Sequence, residues 1–76
     1  MLIEVLGTGC SNCAKAFEVM KRAVESQGID AEVVKIEDMN VIVGRGVMMT
    51  PAIFVDGENK MNGKIPTDEQ AKEMLK

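Results

Sequence analysis

The chain has 76 residues, enough for one small domain, and at this size folding buries only about 60% of the unfolded surface. Apolar residues make up 46% and charged residues 28%, a globular balance that argues against disorder. With no His, a net charge of −3 and only Phe17 and Phe54 as aromatics, Ser-His-Asp and Cys-His catalysis and imidazole metal sites are excluded, and no nucleic-acid partner is expected.

Residues 1–6 form a short apolar run interrupted only by Glu4 and broken by Gly7-Thr8-Gly9, which predicts a strand. This start has no basic segment followed by an apolar run, so no secretory signal is expected. No apolar stretch reaches the roughly 18 residues of a membrane span. The expectation is a cytoplasmic chain without membrane association, where a stable structural disulfide would be unusual. Cys10-Ser11-Asn12-Cys13 follows, and these two cysteines are the only ones. A ring this short cannot staple distant segments; the spacing suits reversible disulfide chemistry or capture of a soft metal ion.

Residues 13–27 place Cys13, Ala16, Phe17, Met20, Ala23 and Val24 on one helical stripe, opposite Lys15, Glu18, Lys21, Arg22 and Glu25, and Gly28 supplies the stop. Cys10 then falls where strand gives way to helix. Backbone N–H groups at a helix start have no intrahelical partner, so they favour a thiolate there. Cys13 opens the apolar stripe and is expected to be less exposed. The division that follows has Cys10 attacking a substrate disulfide and Cys13 resolving the mixed disulfide.

Residues 32–36 read as a second strand. Glu37-Asp38-Met39-Asn40 then introduces Val41-Ile42-Val43, where the acidic start predicts a short helix although β-branched residues favour a strand. Residues 52–55 read as a third strand, Asp56-Gly57 as a turn and residues 60–64 as a fourth strand. Thr67 and Gln70 form a capping box for a last helix that buries Ala71, Met74 and Leu75. The order is β-α-β-α-β-β-α. The first two strands should be parallel and the last two an antiparallel hairpin, in an α/β fold with a mixed four-stranded sheet and helices on both faces.

Cys-x-x-Cys after a first strand, Thr50-Pro51 before a third, and this element order together resemble the thioredoxin superfamily. More narrowly, Gly7-Thr8-Gly9-Cys10-Ser11-Asn12-Cys13, Gly46-Val47-Met48-Met49-Thr50-Pro51-Ala52, Asp56-Gly57 and Gly63-Lys64-Ile65-Pro66 resemble the small, glutaredoxin-sized redox-active disulfide proteins of archaea and bacteria. The resemblance covers essentially the whole chain. It implies a sheet order of 2-1-3-4 and thiol–disulfide exchange at Cys10 and Cys13. It also implies a cis peptide at Pro51 facing the cysteines, and backbone hydrogen bonds from Thr50 to an extended substrate. Met48 and Met49 beside Pro51 read as an adaptable substrate-contact surface. Thioredoxins carry a buried acid six residues before the first cysteine, and Glu4 stands at that spacing as a candidate proton acceptor for Cys13. No cofactor is expected. The partners would be a disulfide-containing client protein and a reductase, with the chain itself a monomer.

The match has departures. Gly9 precedes Cys10, and Ser-Asn separates the cysteines where thioredoxins have Trp and Gly-Pro and glutaredoxins Pro-Tyr. Lys15, the nearest cation, reads as a solvated helix face. Gly63 and Asp68 fall near the glutathione-binding region of glutaredoxins, but the remaining contacts are incomplete, so glutathione is not an expected partner. The competing reading is a soft-metal carrier binding Cu, Zn or Hg through Cys10 and Cys13. Heavy-metal-associated domains share the Cys-x-x-Cys position but run β-α-β-β-α-β and usually have Met where Thr8 stands. Gly7-x-Gly9 is not a dinucleotide fingerprint, since Asn12 occupies the place of its third glycine.

Overall fold

In the computed structural model, which describes residues 1–8 and 11–75, seven elements follow one another. They are β1 (Leu2–Leu6), α1 (Ser11–Gln27), β2 (Glu32–Ile36), α2 (Met39–Gly44), β3 (Ala52–Val55), β4 (Glu58–Asn62) and α3 (Asp68–Met74). The strands form one sheet in the order β2-β1-β3-β4. β1 runs parallel to β2 and antiparallel to β3, and β3 pairs antiparallel with β4. This is the topology that the sequence and its resemblance led us to expect.

Strand alternation divides the core between two faces. Ile3 and Val5 of β1 and Ile53 and Val55 of β3 meet Ala16, Val19, Met20 and Ala23 of α1, and Ala71 and Leu75 close that cluster from the chain's last helical segment. On the opposite face Leu6, Ala52 and Phe54 pack with Ile42 of α2 and with Val47. Central strands buried on both sides explain why β1 and β3 read as nearly unbroken apolar runs.

Capping chemistry decides the segment that composition left balanced. Asp38 Oδ1 accepts the Asn40 N–H at 2.9 Å, opening α2. At the other end Gly46 takes φ 76° and its N–H donates to the Val43 carbonyl at 2.9 Å. α3 carries the full capping box: Thr67 Oγ1 accepts the Gln70 N–H at 3.1 Å, and Gln70 Oε1 accepts the Thr67 N–H at 3.0 Å.

The fourth strand lies two residues earlier than expected. Asp56 (φ 51°) and Gly57 (φ 81°) form a two-residue hairpin loop, so pairing resumes at once with Val55 opposite Glu58. A bulge then places Asn59 opposite Phe54 and Met61 opposite Ile53. Asp56 also reaches back to β1: its Oδ1 accepts the Leu2 N–H, and its own N–H donates to the Leu2 carbonyl, both at 2.8 Å. Among the described residues no helix is long and apolar enough to cross a membrane.

Candidate active site

Three segments converge where β1 ends. The Gly7 N–H donates to the Ile36 carbonyl of β2 at 2.9 Å, holding the chain in the sheet one residue past Leu6. Cys13, in the first turn of α1, is 5% exposed and lies directly against Gly7. A Cβ at Gly7 would overlap Cys13 Sγ, and would stand 2.9 Å from Cys13 Cβ and 3.8 Å from Thr50 Cβ. The third segment is therefore the one entering β3. Its Thr50–Pro51 peptide bond is cis.

Pro51 is buried and its carbonyl accepts the Gly63 N–H at 2.8 Å, which ties this segment to the end of β4. The Met49 side chain rests on Gly63, whose added Cβ would lie 3.0 Å from Met49 Cε. Thr50 and Met49 are exposed, and Met48 is 95% exposed. An apolar rim thus borders the cis-proline. Cys13 also lines a pocket of about 270 Å³ with Val5, Gly7, Ala14, Lys35 and Glu37. The first turn of α1 itself contains no carboxylate to offset the partial positive charge of its N–H groups, while Lys35 and Glu37 bring one charge of each sign to the pocket beside it. Cys10 lies outside the described residues, and so do the expectations for its exposure and its thiolate.

Glu4 is buried, yet it sits apart from this convergence. Val5 and Gly7 face the Cys13 pocket, whereas Glu4 alternates to the other face with Leu6 and pairs in register with Phe54. Both of its carboxylate oxygens are taken by Arg45: Nη1 donates to Oε1 at 2.9 Å and Nη2 to Oε2 at 2.7 Å. Those hydrogen bonds, and the adjacent negative charge, raise the Arg45 pKa above its ordinary value against some desolvation. A raised basic pKa adds stability that is present below the ordinary arginine value and fades only above it, so Arg45 stays charged across the ordinary pH range.

Two residues here carry no sequence signal for the part they play. Gly7 reads only as a strand breaker, but it is needed for the space Cys13 occupies. Arg45 belongs to no motif, yet it is the partner of Glu4.

A mixed sheet of order 2-1-3-4, with α1 and α3 on one face, α2 on the other, and a cis-proline beside the first turn of α1, defines the thioredoxin fold. Residues 1–76 match the family model described as thioredoxin domain. The chain is 45% identical over 76 residues to a thioredoxin of Methanocaldococcus jannaschii, covering all of this chain and 87% of that protein. It is 40% identical over 75 residues to a thioredoxin of Methanothermobacter thermautotrophicus, covering 99% of this chain and 97% of that one. The chain belongs to the thioredoxin family, and it is a thioredoxin-like redox protein. The soft-metal alternative gains no support, because α2 stands between β2 and β3, where heavy-metal-associated domains join two strands directly.

Proposed function

We propose that this protein is a thiol–disulfide oxidoreductase working through Cys10 and Cys13. The observation that carries the reading is the burial of Cys13 against Gly7, beside the cis Thr50–Pro51 bond, with a second cysteine three residues earlier in sequence. The Cys10 thiolate attacks one sulfur of a client disulfide, and the client's other sulfur leaves as a thiolate. Cys13, as thiolate, then attacks the Cys10 sulfur and releases the client dithiol. The client gains two electrons and this protein holds the Cys10–Cys13 disulfide. A reductase restores the dithiol, in a cytoplasmic setting that keeps thiols reduced.

The carboxylate-free helix start favours thiolate at Cys10, and no His is required. Met49 and Thr50 border the site on the side open to a client, with Thr50 offering its backbone to an extended segment and Met49 an adaptable apolar contact.

Insulin reduction with dithiothreitol as electron source tests the reading. Cys10→Ser should abolish turnover, whereas Cys13→Ser should accumulate a mixed disulfide between Cys10 and insulin, visible by mass spectrometry. Wild-type turnover in Cys10→Ser would overturn it.

A further inference from the structure

Arg45 ends α2, and its backbone N–H donates to the Val41 and Ile42 carbonyls at 3.0 and 3.2 Å. Its side chain crosses to the central strand. There it grips both oxygens of Glu4, which is 6% exposed, while its Cζ lies 5.3 Å from the Phe54 ring centroid. Charge-assisted bidentate pairs fix orientation as well as distance, and a ring beneath the guanidinium restricts it further. The end of α2 is thereby fastened to the middle of the sheet.

The next residues are those of the apolar rim. Gly46 turns the chain with φ 76°, and Val47 is buried with its N–H directed at the Ile42 carbonyl at 3.3 Å. Met48, Met49 and Thr50 then emerge before Pro51 enters β3. Residues 46–50 run from the Arg45 clamp to β3, with Val47 in the smaller core as an intermediate anchor. Removing Arg45 leaves the Glu4 carboxylate buried and uncompensated, whereas removing Glu4 frees a guanidinium that is one-third exposed and loses its hold on the sheet, so either change undoes the same clamp.

We propose that the Glu4–Arg45 pair is a positioning device for client binding: it holds residues 46–50 in the shape that presents Thr50 to a disulfide-bearing segment, and Glu4 takes no part in proton transfer at Cys13. The proposal rests on the exchange function above. It assigns the buried acid of β1 to binding, through an arginine 41 residues away in sequence.

Glu4→Gln, Arg45→Met, their double variant and Arg45→Lys would be compared in insulin reduction with dithiothreitol. Losing the order of a few loop side chains should raise KM about three- to tenfold in each of the first two. The double variant should be no worse than the worse single, and kcat and the reduction potential of the cysteine pair should stay at wild-type values. Unchanged KM in both single variants overturns the proposal. So does a fall in kcat, or a displaced pH profile of kcat, in Glu4→Gln but not in Arg45→Met. Should a single variant fail to fold, Arg45→Lys, which keeps the charge and loses the fork, decides on the same KM criterion. Amide exchange separates this from the exchange function itself. Gly46 and Val47, whose N–H groups are hydrogen-bonded to the Val43 and Ile42 carbonyls, should exchange faster in Arg45→Met even if the protein reduces no insulin, and unchanged exchange there overturns the positioning role.

Discussion

Gly7 and Glu4 show how a residue's meaning depends on what lies across from it. Gly7 does not adopt a left-handed backbone; it is glycine because Cys13 Sγ fills the volume that any Cβ would need. Gly7→Ala should force Cys13 or the first turn of α1 outward, costing about 1–3 kcal/mol in urea unfolding, as overpacking does. The same variant should slow resolution of the mixed disulfide, read in a stopped-flow assay with a peptide disulfide. A variant with wild-type stability and rate would mean that the close approach is not needed. Glu4 was legible as a buried acid at the spacing thioredoxins use. Its partner was not, because nothing local to Arg45 says which strand its guanidinium will meet.

The elements whose chemistry is local were legible at the level of individual bonds. The Thr67–Gln70 box closes within one helical turn, so sequence spacing alone identifies both hydrogen bonds. Thr67→Ala removes one of them from a seven-residue helix that cannot sustain itself in isolation. The expected loss is about 1 kcal/mol, which lowers Tm by about 4–8 °C for a domain of this size, and thermal unfolding followed by circular dichroism measures it. α2 was harder to read because its three β-branched residues favour a strand; the Asp38 cap and the Gly46 turn outweigh that preference. β4 was misplaced by two residues for a different reason. The polar run from Glu58 to Lys60 carries little strand propensity, and pairing with β3 draws it into the sheet.

The molecule holds two cores of unequal size on either side of one sheet. Met20 is fully buried where α1 meets the larger one. Met20→Ala should cost about 2–5 kcal/mol, a large share of the 5–15 kcal/mol typical of whole domains, and should shift the single cooperative urea transition. The smaller core joins α2 to the sheet through Ile42, Val47 and Phe54, beside the Glu4–Arg45 pair. Ile42→Ala should therefore speed amide exchange in α2 and residues 46–50 before it affects α1, as expected for a locally opening unit. Uniform acceleration across the chain would contradict that division.

Element types, their order and the cysteine spacing were available in the 76 letters, because periodicity, caps and two-residue turns act over a few neighbouring positions. The family resemblance extended this to the strand order. Only the tertiary structure decided that Glu4 faces α2 while Val5 faces α1, that Arg45 is the partner of Glu4, and that Gly7 makes room for Cys13. Those contacts join segments distant in the chain, and they arise when strand alternation and helix packing choose which side chains share a face.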